Sequence, residues 1–389
     1  MQILTYQAAS IIPPLDFVTF VYNDNKMRVA SQNISISLAA TVHFPQLVRS
    51  IFKLHLYIFI KGGVCVYQPK DSSQSPRFCG VRTFMRLEHV RTTDNVDFAV
   101  LGVPFDTAAS NRTGQRYGPQ HIRNFSVLLR PYNPDMEIDI FQYCSGIDYG
   151  DIDVVPGNAL RTYGRIVKEL RPLLQKNIIP IMMGGDHSIT LGHLRAFYER
   201  FGPIALVHFD SHGDTWDHYY GEKYMHGTPF RRAVEEGLLD VDHSIQVGMR
   251  GPLYSADDIE DARRLGFEVI PMKEVRKTGF SEVMDRIHQR VGDRPVFVSY
   301  DIDFVDPAFA PGTGTPEVGG PTSYEALEYV RGLDGLNIVG FDLVEVLPSY
   351  DQGEITAVLA SAIIYEMITL IALKKRRSHQ ERRSGVARQ

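Results

Sequence analysis

From about residue 97 onward, short apolar runs rich in β-branched residues alternate with longer amphipathic stretches. Segments such as Ala159–Gln175, Phe280–Val291 and Tyr324–Leu333 repeat apolar residues at helical spacing. Strands that are apolar along their whole length are typical of parallel sheets covered on both faces. The sequence therefore predicts an α/β fold whose functional site lies at the carboxyl ends of the strands. The runs with the length of buried strands are Phe98–Val103, Ile178–Met183, Ile204–Phe209, Ser244–Val247, Glu268–Pro271, Val296–Tyr300 and Ile338–Val344.

The two ends of the chain lack this alternation. Residues 1–73 contain scattered apolar runs, adjacent prolines and a polar DSSQS stretch, and we expect them to form a poorly ordered N-terminal extension. Residues 376–389 are rich in Arg, which predicts a solvated basic C-terminal tail after a helix, where cations suit the negative end of the helix dipole. The domain that contains the sheet then covers residues 74–375.

Composition argues against several classes of protein. The 41 basic and 46 acidic side chains give a net charge of −5, so no strong positive field attracts nucleic acid. The three cysteines, Cys65, Cys79 and Cys144, cannot all pair and show no CxxC spacing. This count disfavours a disulfide framework and favours a reducing, cytoplasmic location.

One apolar stretch raises the question of a membrane. Ile355–Leu373 just reaches membrane-spanning length, with Glu366 as its only formal charge. We interpret it as a buried helix packed on the sheet, because it follows a polar loop and the rest of the sequence is of the globular type. The first residues lack a basic segment before their apolar part, so we expect no secretory signal.

Acidic residues and histidines follow three of the predicted strands. Residues i and i+2 of an extended chain point to the same side, so the members of each strand end can converge. Four carboxylates in one place would repel one another and raise their own pKa values unless cations lie between them. We therefore predict a metal centre at this edge of the sheet. Its candidate ligands are His187, Asp210, His212, Asp214, Asp301 and Asp303.

The composition of this ligand set indicates the kind of centre. Two imidazoles and four carboxylates are too many for one tetrahedral ion, and they suit a pair of octahedral ions bridged by carboxylates. Oxygen-rich ligation with some imidazole favours Mn²⁺, although Ni²⁺, Co²⁺ and Zn²⁺ also accept these ligand types. Such ions lie about 3.5–4 Å apart and generate hydroxide from water at neutral pH. The prediction is two Mn²⁺ ions per chain.

The motifs around these residues resemble the ureohydrolases, the arginase and agmatinase family. They are GVPFDTAASNRTGQRYGPQHIR (102–123), GGDHSITL (184–191), HFDSHGDTWD (208–217), MHGTPFRRAVEEGLLD (225–240), SYDIDFVDPAFAPGTGTPEVGG (299–320) and GFDLVEVLPSYDQGEITA (340–357). The resemblance covers roughly residues 74–375. It implies a three-layer α/β/α fold with a mainly parallel eight-stranded sheet, and assembly into homotrimers or hexamers. The chain departs from the family at Ser211, where Ala is usual, and at Gly213, where Thr is common.

The resemblance also assigns roles to individual residues. Glu345 matches the family's guanidinium-binding glutamate, and a carboxylate can accept the planar fork of a guanidinium in two parallel hydrogen bonds. His226 matches a proton shuttle near the pocket mouth, which suits a group whose pKa lies near neutrality. By resemblance, Asp210 and Asp301 bridge both ions, His187 and Asp214 complete one shell, and His212 and Asp303 complete the other. Asp214 is placed to move a proton to the leaving amine.

The implied reaction is hydrolysis of a guanidino compound to urea and an amine, with agmatine, which gives putrescine, as the first choice of substrate. Arginase is disfavoured, because the Ser-Gly-Asn run usual there is replaced by TWDHYYGEKYMHG (215–227). Guanidinobutyrase shares the same motifs, and the loops at 106–118 and 215–225 contain both charge signs, which leaves that choice open. A catalytically silent regulatory or binding subunit, the alternative of another class, would usually have lost a ligand.

Overall fold

The computed structural model describes the backbone of residues 2–6, 18–23, 26–31, 34–39 and 66–386, and side chains from residue 66 to residue 382. Contacts divide the chain into two units, Met1–Val64 and Cys65–Gln389. The smaller unit contains an antiparallel sheet of β1 (Gln2–Tyr6), β2 (Val18–Asn23), β3 (Lys26–Ser31) and β4 (Ile34–Ala39), in that order. These strands were not predicted from the sequence. The expectation that residues 1–73 are poorly ordered concerns mostly residues outside those described, and it stays a prediction.

The sequence pattern predicts that the larger unit begins at residue 74, but in the structure it begins earlier. The backbone N–H of Tyr67 donates to Ser145 Oγ at 2.9 Å, and Gly146 N–H donates to the carbonyl of Tyr67 at 3.1 Å. The backbone N–H of Lys70 donates to the carbonyl of Arg86 at 3.1 Å. Residues just after Cys65 therefore belong to the unit that carries the sheet.

Eight strands form the central sheet, and every neighbouring pair is parallel. The strands are β5 (Phe98–Gly102), β8 (Gly146–Asp151), β9 (Ile179–Met183), β10 (Ala205–Phe209), β11 (Ile245–Val247), β12 (Glu268–Ile270), β13 (Val296–Asp301) and β14 (Ile338–Val344). Their order across the sheet is β12-β11-β10-β13-β14-β9-β5-β8. Seven of the strands were predicted, and the eighth is the edge strand β8. The two-residue strands β6 (Tyr132–Asn133) and β7 (Ile138–Asp139) form a separate antiparallel pair.

Helices cover both faces of this sheet, as the apolar strands require. Successive residues of β5 contribute to different clusters: Phe98 and Val100 to one core, Ala99 and Leu101 to the other. The helices are α1 (Gly118–Ser126), α2 (Ala159–Gln175), α3 (Thr190–Phe201), α4 (Pro229–Glu235), α5 (Asp257–Arg264), α6 (Met272–Thr278), α7 (Phe280–Val291), α8 (Ser323–Arg331) and α9 (Ile355–Val386). Helices α1 and α6–α9 pack in the first core, and α2–α5 pack in the second. The predicted three-layer α/β/α architecture is confirmed.

The last helix, α9, is the apolar stretch that reaches membrane-spanning length. By length and composition Ile355–Arg382 could cross a membrane, but 83% of its most apolar window is buried inside the protein. It is a core helix, as predicted. The helix continues through residue 386 into the segment expected to form a basic tail, and Arg377 pairs there with Asp334 at 2.8 Å. Residues 387–389 lie outside the described part of the chain.

Candidate active site

The four central strands deliver the predicted site residues to one edge of the sheet. Asp210 follows β10, Asp301 ends β13, Glu345 follows β14, and His187 lies four residues beyond β9. These strands are consecutive neighbours in the sheet. Because their carboxyl ends share one edge, side chains that are far apart in the sequence meet there.

One half of the cluster surrounds His187, whose side chain is 1% exposed. Its Nδ1 atom lies 3.1 Å from Asp210 Oδ2, 2.9 Å from Asp214 Oδ2 and 3.2 Å from Asp301 Oδ2. Three carboxylates thus converge on a single ring nitrogen. These four atoms are candidate ligands for one metal position.

The other half surrounds His212, whose side chain is 21% exposed. Its Nδ1 atom lies 3.1 Å from Asp303 Oδ2 and 3.4 Å from Asp210 Oδ1. The two oxygens of Asp210 therefore face the two histidines, and the ligand atoms of Asp210, His212 and Asp303 lie close enough together to hold one ion. Asp210 stands between the halves as expected of a bridging ligand, whereas the side-chain contact of Asp301 with a histidine is to His187.

The electrostatics of the cluster match a site built around cations. Burial raises the pKa of Asp301 well above its usual value, and the charges of Asp303 and Asp210 raise it further. Burial alone would lower the pKa of His187, but its contacts with Asp210, Asp214 and Asp301 raise it well above the ordinary value. The protein on its own therefore favours extra protons here. A divalent cation would replace those protons and remove the repulsion.

Hydrogen bonding behind His187 shows which ring nitrogen is available to a metal. Ser299 Oγ donates to Asp342 Oδ1 at 2.7 Å, so it accepts from His187 Nε2 at 2.9 Å. In the neutral ring Nδ1 therefore carries no proton and has a free lone pair. This buried atom is the one that faces the three carboxylates. A lone pair directed at anions is repulsive without a cation, so the donor set fits a metal ion.

A polar row lies beneath the ligands: Gln246, His208, Ser299 and Asp342, which stand opposite one another on the neighbouring strands β11, β10, β13 and β14. Gln246 Nε2 donates to His208 Nδ1 at 3.0 Å, so His208 Nε2 carries the proton and donates to Asp210 Oδ2 at 2.8 Å. The row orients Asp210 through His208 and His187 through Ser299. Sequence reasoning missed these residues, although each is a polar residue inside its strand with an apolar or aromatic residue on either side.

Ser211, one of the two departures from the family pattern, contacts the cluster directly. Its hydroxyl donates to Asp303 Oδ1 at 2.7 Å, and its backbone N–H donates to the same oxygen at 3.1 Å. An alanine at this position would keep the second bond and lose the first. The departure therefore adds one hydrogen bond to a candidate metal ligand.

Glu345 and His226 form a buried pair beside the cluster. Glu345 Oε1 accepts from His226 Nδ1 at 3.1 Å and from the backbone N–H of His187 at 2.9 Å. The Ser110 backbone N–H donates to His226 Nε2 at 3.0 Å, which leaves the proton of the neutral ring on Nδ1. Burial opposes ionisation of both partners, but their mutual contact lowers the pKa of Glu345 and raises that of His226.

Two of the predicted site residues have unusual backbone angles. Asp214 has φ of 50° and Glu345 has φ of 65°, in the left-handed region that side chains other than Gly rarely adopt. Non-glycine residues in this region are strained and are concentrated at functional sites. A further constraint lies at Gly185, where a Cβ atom would approach the carbonyl oxygen of Phe105 to 1.7 Å. The turn that presents His187 therefore requires glycine.

The chain is similar to known proteins over most of the unit that carries the central sheet. The model of the arginase family matches residues 96–369. A guanidinobutyrase of Pseudomonas aeruginosa is 43% identical over 79% of this chain and 97% of its own length, and a mitochondrial agmatinase of Gallus gallus is 43% identical over 78% and 89%. A solved structure of a hypothetical agmatinase from Burkholderia thailandensis superposes with a TM-score of 0.72 at 41% identity, covering 77% of this chain and 93% of that one.

Proposed function

The chain belongs to the arginase family, and on that premise we propose that it is a dinuclear manganese hydrolase that splits a guanidino compound into urea and an amine. The observation that carries the proposal is the hydrogen bond from the His187 backbone to Glu345, at 2.9 Å. It joins the anion that would hold a guanidinium to a residue of the candidate metal cluster. Substrate and metal are thereby held in one fixed relation.

Two divalent ions would be held by the six residues of the cluster. When bound, they supply a nucleophile at neutral pH, because they lower the pKa of water. Manganese is the metal we propose, since the set is rich in carboxylate oxygens and contains two imidazoles. The ligands would be His187, Asp210, Asp214 and Asp301 for one ion, and Asp210, His212, Asp301 and Asp303 for the other.

The chain's own residues then orient the substrate and move protons. A guanidinium is a poor electrophile because its charge is delocalised, so orientation by Glu345 contributes much of the rate. Asp214, which lies in the cluster at the end of a strained turn, would carry a proton to the leaving amine. His226 would exchange protons with solvent through Ser110, whose hydroxyl lies 2.6 Å from His226 Nε2 and whose side chain is partly exposed.

Agmatine is the substrate we propose first, and 4-guanidinobutyrate is the second candidate. The second is favoured by one specific feature, the guanidinium of Arg112, which stacks 4.2 Å from the ring centre of Tyr350. Among the described residues no carboxylate lies within ion-pair distance of Arg112. The carbonyl of Arg112 accepts a hydrogen bond from Gln115, which contacts Glu345, so the backbone of Arg112 lies close to the proposed guanidinium anchor. We propose that a substrate carboxylate pairs with the guanidinium of this residue.

Urea release by the manganese-loaded protein tests the proposal, with agmatine, 4-guanidinobutyrate and arginine as substrates. We expect release from one of the first two and little from arginine. Arg112→Ala should lower kcat/KM for 4-guanidinobutyrate and leave agmatine unaffected if a carboxylate binds there. No urea from any guanidino compound would contradict the proposed function and would favour the catalytically silent subunit.

Three further properties stay predictions. We propose a homo-oligomer, a trimer or hexamer, which light scattering on the purified protein would measure. The cytoplasmic location rests on the cysteine count, while some relatives are named mitochondrial. Small guanidino compounds are the proposed partners, rather than nucleic acid or membrane.

A further inference from the structure

Gln115 is a buried glutamine that lies against Glu345, with 0% of its surface exposed. Its amide nitrogen donates to Glu345 Oε2 at 2.9 Å and to the carbonyl of Arg112 at 3.0 Å. Its amide oxygen has no hydrogen-bond partner among the described residues. Reversing the amide would direct that oxygen at two acceptors, so the two donor bonds fix its orientation. A buried acceptor without a donor is costly, so this atom has capacity for a donor that the described residues do not supply.

Glu345 has little hydrogen-bonding capacity left in this arrangement. A carboxylate offers about four lone-pair positions on its two oxygens. Oε1 accepts from the backbone N–H of His187 and from His226 Nδ1, and Oε2 accepts from Gln115. The remaining capacity is on Oε2. Glu345 therefore does not accept two parallel N–H groups by itself while these three bonds persist.

We propose that Gln115 is a second substrate-binding residue and completes the acceptor pair for the guanidinium. One N–H of the substrate donates to Glu345 Oε2, and a neighbouring N–H donates to Gln115 Oε1. The amide oxygen shares its carbon with the nitrogen that contacts Glu345, so the two acceptors belong to side chains in direct contact, between which the N–H groups of one planar guanidinium can be divided. This inference rests on the proposed function and adds to it the group that accepts a hydrogen bond from the second N–H of the substrate.

The surrounding chain closes over this pair. A Cβ atom at Gly314 would lie 2.7 Å from Gln115 Nε2 and 3.3 Å from Glu345 Oε2. Asn111 Nδ2 donates to the carbonyl of Gly314 at 3.1 Å and holds that segment in place. Only a residue without a side chain allows the backbone to approach so closely, and this backbone packs against the bond between the Gln115 amide nitrogen and Glu345 Oε2.

The test compares Gln115→Met, which removes the acceptor and the donor, with Gln115→Glu, which keeps an acceptor oxygen. The other oxygen of the new side chain faces Glu345 Oε2 and the Arg112 carbonyl, so it must carry a proton and thereby replaces the donor. Gln175→Met, at an exposed position at the end of α2, is the matched control. Calorimetry with guanidinium chloride on the manganese-loaded enzymes measures binding, and urea release measures KM and kcat. We expect Gln115→Met to weaken guanidinium binding and to raise KM by about 10- to 100-fold, the usual effect of a lost hydrogen bond to a charged group. Gln115→Glu should bind guanidinium at least as tightly as the wild type.

Two results from the variants would overturn the inference. If Gln115→Glu binds guanidinium as weakly as Gln115→Met, an acceptor oxygen at this position does not contribute to binding. If Gln115→Met binds as well as the wild type, the amide oxygen has no part in recognition. Metal content and circular dichroism identify the variants that fold. Should Gln115→Met not fold, Gln115→Asn, whose shorter side chain withdraws the acceptor, takes its place in the comparison.

The same experiment separates this inference from the proposed function. Guanidinium calorimetry needs no turnover, so it reads the role of Gln115 even if no guanidino compound yields urea. Absence of urea release by the wild type would count against the proposed function alone. A wild-type enzyme that does not bind guanidinium would overturn the inference about Gln115.

Discussion

Two buried groups of polar residues lie next to each other on one sheet, and they differ in the ratio of hydrogen-bond donors to acceptors. In the metal cluster, three carboxylates converge on His187 Nδ1 at 2.9–3.2 Å. In the polar row beneath it, one carboxylate, Asp342, receives three donors at 2.7–2.8 Å: Thr190 Oγ1, His193 Nδ1 and Ser299 Oγ. The first group has too many acceptors for its donors, and the second is balanced.

The pKa values follow this difference. Burial raises the pKa of Asp301, and its acidic neighbours raise it further. Burial would also raise the pKa of Asp342, but the hydrogen bond and charge of His193 outweigh it and lower that pKa. Residue type therefore does not distinguish a metal centre from a structural network. The ratio of acceptors to donors around each group does.

The largest effect is expected from Asp301→Asn, which removes one carboxylate from the crowded cluster. Both ions should be lost together and urea release abolished, because the residue is proposed to bridge them. The raised pKa of Asp301 means that its contribution to stability is lost as pH rises through that pKa. At about pH 8 the metal-free variant should therefore melt at a higher temperature than the metal-free wild type. Elemental analysis measures the metal content, and scanning calorimetry measures the melting temperature. A lower melting temperature for the variant would refute the claim that repulsion among the carboxylates destabilises the metal-free cluster.

Glu345→Gln sharpens the comparison, because Glu345 contacts the cluster without being one of its proposed ligands. The amide keeps the size of the side chain and loses its charge, so the guanidinium is misoriented as well as weakly bound. We expect kcat to fall roughly 100-fold or more, with two metal ions retained. Near-normal kcat, or loss of metal, would show that Glu345 is not the guanidinium anchor. The pairing group would then be sought among Asp186, Asp217 and Glu317.

Asp342→Asn tests the balanced group. The lowered pKa of Asp342 means that it contributes stability present above its unfolded pKa, near 3.8, and lost as pH falls through its folded value. The variant should lose about 1–3 kcal/mol at neutral pH and less in acid. Its metal affinity should fall about 10- to 100-fold, because Ser299 no longer orients His187. Denaturant unfolding at several pH values measures the first effect, and a loss of stability that does not depend on pH would contradict it.

The smallest effect is expected at the far end of the polar row, from Gln246→Leu. This change removes the donor to His208 Nδ1, so the proton is no longer held on the nitrogen that contacts Asp210. Metal affinity should weaken by about tenfold, since Gln246 acts through His208 and not on an ion. Competition with a chelator measures the affinity, with the exposed Gln175→Leu as the control. An effect as large as that of Asp301→Asn would mean that the row is part of the metal shell itself.

Sequence alone predicted the architecture well, because long apolar strands and amphipathic helices leave few alternatives. The missed strand, Gly146–Asp151, has the sequence GIDYGD, whose glycines and acidic residues resemble a loop. It lies at the edge of the sheet, and its Asp148 and Asp151 pair with Arg123 at 2.8 Å and 2.6 Å. Tertiary ion pairs stabilise this strand, and no local pattern reports them.

For the site, sequence identified the residues that follow the strands and missed those within them. His208 is two residues before Asp210 and therefore on the same side of the strand, so it could have been included. Gln115 gives no comparable signal, since its role depends on contact with Glu345, which is distant in the sequence. Spacing also could not reveal that His226 pairs with Glu345. Such contacts arise only when separate loops meet at the sheet edge.

Helix α9 follows every strand of its sheet in the sequence, and this order has a consequence for how the domain is made. Its apolar residues between Leu359 and Leu373 share a hydrophobic cluster with Phe98 and Val100 of β5, and with Phe341 of β14. During synthesis all eight strands leave the ribosome before α9, so part of one face of the nascent sheet stays uncovered until α9 has been made. The interval before α9 docks is when the newborn domain most needs protection from aggregation.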